Sequence, residues 1–147
     1  MNTYKIIITV CFLLGSLLFK PYNGYAQTQT LEFEITNIEQ GKGTVFIALY
    51  DRDGKDWIDK PFKDMVIDTK EDKKVISFEV PYGTYAISVF QDLNDNGELD
   101  DNMMGVPKEP IAFGNNYKPL GNPKFDAASV PFNKHYKRQQ LKLYKIF

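Results

Sequence analysis

Two residue types that carry much of protein chemistry are almost missing from this chain: it has one cysteine, Cys11, and one histidine, His135, in 147 residues. Cys11 lies in the middle of an apolar run, Ile6 to Phe19, that follows Lys5 and precedes Gly24, Tyr25 and Ala26. The run is too short to span a bilayer as a helix, has no polar face, and has the length of a signal-peptide core. The sequence therefore predicts a signal peptide over residues 1–26, cleavage after Ala26, and one exported domain over 27–147, periplasmic or extracellular, with no membrane span after cleavage. Cys11 is not placed as a lipidated cysteine would be. The mature chain then contains no thiol, which excludes a disulfide brace and a cysteine nucleophile. A lone histidine lacks the partners for a zinc site.

Other absences narrow the choice further. None of Ser77, Ser88 and Ser129 sits in a G-x-S-x-G elbow, so the sequence offers no serine hydrolase signature. A pair of carboxylates such as Asp92 and Glu109 serves glycoside hydrolysis only across a dry cleft, which a domain of this size hardly supplies. Basic charge is not in excess, with 18 Lys+Arg against 19 Asp+Glu, and loss of Lys5 and Lys20 makes the balance more acidic. Nucleic acid is not an expected partner on that balance. Repeats, low-complexity tracts and a convincing helical period are also missing, and the composition suits one core rather than two domains.

What is present is alternation. Leu31, Phe33 and Ile35 face one way and Glu32, Glu34 and Thr36 the other, as in a half-buried strand. Thr44 to Tyr50 is apolar on both faces and so reads as a central strand; across the Gly41–Gly43 turn the two are expected to form a hairpin. Asp51 to Asp56 is read as a turn rather than a second ion loop, because Arg52 and Lys55 offset its acids. Trp57 to Lys74 is irregular, with room for one short helix or edge strand. Val75 to Val80 alternates again and is expected to form a hairpin with Tyr85 to Phe90 through Pro81, Tyr82 and Gly83. Met103 to Asn122 reads as a long ordered loop, Phe125 to Phe132 as a short strand or turn, and Gln140 to Phe147 as the closing strand with Leu141 and Leu143 inward. The fold class is all-β, a single antiparallel β-sandwich of about seven strands in an Ig-like outline, with a partly closed barrel as the alternative.

The chemistry concentrates in one stretch. From Val75 to Pro107 there is no Lys or Arg, yet Asp92, Asp95, Glu98, Asp100 and Asp101 fall close together. Two unit charges about 4 Å apart near a protein surface repel by up to roughly 4 kcal/mol, so a loop that gathers them needs a cation or must splay. Asp92, Asn94, Asn96 and Gly97 match the first half of the calcium pattern D-x-D/N-x-D/N-G, in which Gly permits the bend around the ion. The expected metal ligands are Asp92, Asn94, Asn96, Glu98 through its carbonyl, and Asp100, with Glu109 as the remote ligand and Asp101 as its substitute. Leu99 is expected to point inward as an apolar anchor. Met103 stands where an EF-hand has its bidentate Glu, and the loop is approached by a strand, so an EF-hand is rejected. Ca2+ is the expected cofactor, Mg2+ fitting less well because it prefers a rigid octahedral site. A solvated acidic turn is the alternative, since Asn96-Gly97 is also a hairpin signal. Trp57, Tyr82, Tyr117 and Tyr136 are weighed as a sugar-stacking face or as packing. Asn115 and Asn116 are expected to satisfy loop backbone.

The run from Pro81 to Asn116, PYGTYAISVFQDLNDNGELDDNMMGVPKEPIAFGNN, together with Lys42 to Tyr50 and Pro123 to Ala128, resembles the DUF2141 family of exported bacterial proteins, common in Bacteroidetes. Asp92, Asn94, Asn96, Gly97, Asp100, Gly105, Pro107, Glu109, Phe113 and Asn115 match its pattern. Gln91 stands where the pattern has His, and Ala112, Phe113 and Gly114 replace Gly, Phe and Ser. The resemblance implies a secreted sandwich similar in outline to transthyretin-like and carboxypeptidase-regulatory modules, with no established enzymatic activity. The expectation is a non-enzymatic exported module with a structural calcium loop and an unidentified protein or glycan partner. The alternative is a carbohydrate-binding or small hydrolytic periplasmic protein.

Overall fold

A computed structural model describes residues 27–51 and 57–146. The expected signal peptide and most of the Asp51 to Asp56 turn lie outside the described residues. Eight strands are formed there: β1 (Gln29–Thr36), β2 (Thr44–Tyr50), β3 (Lys63–Ile67), β4 (Lys73–Val80), β5 (Gly83–Asp92), β6 (Ile111–Phe113), β7 (Ser129–Phe132) and β8 (Gln139–Lys142). One helical turn, α1 (Phe125–Ala128), precedes β7, and short 3-10 turns occupy Trp57–Asp59 and Gly114–Asn116.

The strands divide into two sheets. The smaller has the order β4-β1-β8, and the larger β3-β2-β5-β6, with β7 sharing the same edge of β5. β6 pairs with Ser88 to Phe90 and β7 with Gly83 to Ala86, so the two lie end to end along one strand. The sandwich is as expected, and no barrel closes. Three details differ. β1 and β2 do not form a hairpin: β1 pairs with β4 and β8, while β2 pairs with β3 and β5. β4 and β5 likewise belong to different sheets, so the Pro81-Tyr82 corner is a crossing between layers. The sandwich is not wholly antiparallel either, because β8 runs parallel to β1.

The core sits between the sheets. Leu31, Phe33 and Ile35 of β1, Ile76, Phe78 and Val80 of β4, and Leu141 of β8 face Val45, Ile47 and Leu49 of β2 and Tyr85, Ile87 and Val89 of β5. All are buried, as strand parity requires when one face is wet. The double-sided apolar character of β2 and β5 has a second cause. Tyr50, Ala86, Ile111 and Phe113 on the outer face of the large sheet are covered by Trp57, Phe125 and Ala128, and Trp57 donates its indole N–H to the Pro123 carbonyl at 3.1 Å.

β5 delivers the acidic loop. Gly43 permits this arrangement: its φ is +57°, and a Cβ there would run into the Asp92 carbonyl. The backbone of β2 can therefore lie against the end of β5 only with glycine at that position.

Candidate functional site

Asp92 ends β5 with its side chain almost fully buried, and its burial is met by the loop's own backbone. Oδ1 accepts from the N–H groups of Asn94 and Asn96, and Oδ2 accepts from Gly97 N–H at 2.7 Å. Asn94 Oδ1 accepts from Asn96 N–H and Asn96 Oδ1 from Glu98 N–H, a ladder of side-chain-to-backbone turns that winds the loop around one centre. Asp95 and Gly97 take left-handed backbone angles within it, φ +56° and +82°.

The side chains converge. Asp100 Oδ2 accepts from Asn94 Nδ2 at 2.7 Å and from Asn96 Nδ2 at 3.4 Å. The two amides thus present the positive ends of their dipoles to a carboxylate, the electrostatic role a cation would take in their place. Glu109, distant in sequence, is brought to the base of the loop and is buried there. Its Oε1 accepts from Leu93 N–H at 2.7 Å and its Oε2 from Asp100 N–H at 3.1 Å, so it clamps the two ends of the loop together. Asn94, Asn96 and Asp100 thus meet through their side chains, while Asp92 and Glu109 hold the same loop through its backbone N–H groups. Glu98 is exposed, with its main chain in the ladder. Asp101 lies in a bridge with Pro107. Leu99 does not point inward; it is 39% exposed, because the Asp92 and Glu109 carboxylates, rather than an apolar plug, hold the loop from below.

Among the described residues no three His, Cys, Asp or Glu side chains form a metal-holding group. At the loop, amide oxygens of Asn94 and Asn96 would have to complete any oxygen shell. The side chains here carry carboxylate and amide groups and no imidazole or thiolate, so any cation they held would be held through hard oxygens.

Several supports of the loop were not read from the sequence. Thr44 Oγ1 donates to Asp95 Oδ1 at 2.9 Å, from 51 residues away, and nothing local signals it. Asn102 Oδ1 accepts from Met104 and Val106 N–H groups, shaping a small hairpin from Asp100 to Lys108 that displays Met103 and Met104. Gln91 did leave a signal. It continues the inward row of Tyr85, Ile87 and Val89, and it is fully buried, with Oε1 accepting from Glu39 N–H and Nε2 donating to the Glu39 and Lys42 carbonyls.

The other candidate groups do not assemble. Ser88 Oγ pairs with the Tyr50 hydroxyl and Ser129 Oγ donates to the Asp126 carbonyl, while His135 is on an exposed loop. Of the four aromatics, Trp57 is in the outer cluster, Tyr117 packs by Phe113, and Tyr82 and Tyr136 both touch Phe132. They do not make one face. Asn115 Nδ2 donates to the Ala127 and Ser129 carbonyls and Asn116 Nδ2 to the Gln140 carbonyl, so both satisfy backbone across the fold. Among the described residues no helix is long and apolar enough to cross a membrane.

No curated protein and no solved structure matches the chain. A family model described as "Uncharacterized protein conserved in bacteria (DUF2141)" matches residues 33–140, a span that runs from β1 into β8. The chain belongs to the DUF2141 family.

Proposed function

We propose that the protein is an exported, non-enzymatic β-sandwich module whose loop from Asp92 to Asp101 is ordered by one calcium ion. The observation that supports this most is the convergence of Asn94 and Asn96 on the Asp100 carboxylate beside buried Asp92. The two amides meet the Asp100 charge only with dipoles, in the place a cation would take, and no Lys or Arg lies between Val75 and Pro107 in the sequence to neutralise the acids there. Export rests on the apolar run near the N-terminus. The non-enzymatic reading is supported by the use of Asp92 and Glu109: every carboxylate oxygen of the pair accepts a main-chain hydrogen bond.

A surface loop with few charged ligands belongs to the weak extracellular range of calcium sites, with Kd on the order of 0.1 to 1 mM. At about ten times Kd, binding stabilises the fold by about 1.4 kcal/mol, which raises Tm by about 5 °C for a domain of this size. The test is a thermal melt in millimolar Ca2+ and in chelator, on the wild type and on Asp100→Asn. Asp92→Ala is less informative because Asp92 also holds three backbone N–H groups. The expected result is a calcium-dependent rise that Asp100→Asn abolishes while its melt in chelator stays at or above wild type. Identical wild-type melts with and without calcium would defeat the reading.

A further inference from the structure

We propose that a second site, a basic groove on the seam between the two sheets, binds an acidic glycan through its carboxylate or sulfate groups. The seam is made by the chain after β8: Tyr144 crosses to the large sheet and exchanges two backbone hydrogen bonds with Ile111, each 3.0 Å. Between this crossing and the Gly114–Asn116 turn lies a groove of about 570 Å³, within the range of small-ligand sites. Buried Phe113 and Leu143 close it from beneath, the half-buried Tyr144 is the one ring it presents, and Lys118, Lys142 and Lys145 stand around it.

Charge decides what it takes. Lys145 Nζ is 2.7 Å from Glu39 Oε1, but the same carboxylate also serves Lys42 at 3.0 Å. Glu34, the nearby acid on β1, accepts from Gln140 Nε2. Of the three lysines that line the groove, Lys145 shares Glu39 with Lys42, and Lys118 and Lys142 have no carboxylate partner among the described residues. Lys118 Nζ lies 4.5 Å from the centre of the Tyr144 ring, on an exposed arm that can swing aside to bare the ring and carry its charge to a ligand. Such a concentration of positive potential in a chain with net charge −1 attracts anions. An inorganic anion would leave the half-buried Tyr144 ring unused, whereas the apolar face of a sugar ring packs on Tyr144 while its acid group meets the lysines. Nucleic acid is disfavoured by the acidic loop that ends β5 on the same molecule.

The test is isothermal titration of the purified protein, in chelator so that no divalent ion bridges, with a uronate oligomer, a sulfated glycan oligomer, a neutral oligomer of equal length and inorganic sulfate. Binding of at least one acidic oligomer and not of the neutral one is expected, weakening as salt shortens the screening length. The double variant Lys118→Gln/Lys142→Gln should bind at least about tenfold more weakly with unchanged Tm, because both side chains are exposed and neither has an ion pair among the described residues. Lys137→Gln, on the loop before β8, controls for general charge and should bind as wild type. Comparable binding of the neutral oligomer, no binding of either acidic one, displacement by equimolar sulfate, or equal loss in the Lys137 variant would each overturn the assignment. Which acidic oligomer binds tells carboxylate from sulfate recognition.

Discussion

At the scale of single residues, Gln91 has the most constrained surroundings. It is 0% exposed and holds both polar groups of Glu39 and the carbonyl of Lys42, fixing the connection from β1 to β2 over the end of the core. Where the resembling pattern has His, this chain places a structural clamp rather than a titrating group. Gln91→Ala leaves three main-chain groups without their partner. Since each buried unsatisfied group costs about 1–3 kcal/mol and water refills part of the gap, a loss of about 3 kcal/mol is expected in a urea titration; a loss below about 1 kcal/mol would show that the clamp is dispensable. Gln91→His keeps at most one donor and one acceptor and should fall between the two. Glu109→Gln follows the same logic. It turns one of two acceptors into a donor facing a backbone N–H, Leu93 or Asp100, and should cost about 1–3 kcal/mol even in chelator, where a pure calcium ligand would cost nothing. The burial of Gln91 was legible from strand parity. Its partners were not, because they come from some 50 residues away and nothing local encodes that distance.

At the scale of elements, the apolar pattern located β1, β2, β4 and β5, whereas β3 fell in a stretch read as irregular and β6 in one read as loop, both too short to show a period. Pairing was another matter. The stretch from Leu31 to Tyr50 has the same hydrophobic pattern whether it folds back within one sheet or arches between two. A two-residue turn would have forced a hairpin, but the connection here runs from Asn37 to Gly43, with Ile38 buried at 4% exposure, and a linker of that length with an apolar anchor bridges the layers. The Pro81-Tyr82 corner misled for a related reason: turn chemistry fixes a change of direction but not which sheet receives the next strand. The position of the acidic loop at the end of β5 was legible because its Asp and Asn residues are local in sequence, but the outward turn of Leu99 and the support from Thr44 were not. The hairpin after it, Asp100 to Lys108, supplies a separate prediction. It holds Met103 at 105% and Met104 at 79% exposure, whereas Met65 packs against the core. Dilute peroxide should convert Met103 and Met104 to sulfoxides well before Met65, as read by peptide mapping, with little change in Tm because neither side chain contributes to packing. Early oxidation of Met65 would mean that β3 detaches from the edge of its sheet.

For the whole molecule, the ionisable groups that tie its parts together set a pH window. Burial raises the hydroxyl pKa of Tyr50, Tyr85, Tyr136 and Tyr144 above the ordinary value of 10.0. Three of these hydroxyls join segments: Tyr50 to the Ile58 carbonyl, Tyr85 to the Pro81 carbonyl, and Tyr136 to the Glu32 carbonyl at 2.7 Å. A raised folded value means that the native state holds its proton longer than the unfolded chain, so their contribution is intact below pH 10 and is lost as pH climbs through the folded values. On the acid side the shifts have the opposite sign. Hydrogen bonds from Lys145 and Lys42 lower Glu39 from its ordinary 4.5, and the Lys70 backbone N–H, then Lys74, lower Asp68 from 3.8. Their contribution is present above those ordinary values and is lost as pH falls. Both carboxylates are at the surface, where solvent screens such pairs, while the tyrosines are partly enclosed. The two limbs should therefore be unequal: a urea midpoint that is flat from about pH 5 to pH 9, declines gently in acid and drops steeply above about pH 10. Tyr136→Phe should lower the plateau by about 1 kcal/mol, the net value of one hydrogen bond, and soften the alkaline drop, since one proton fewer is then released on unfolding. An alkaline limb as shallow as the acid one, or unchanged in Tyr136→Phe, would show that these hydroxyls do not hold the two sheets and their loops together.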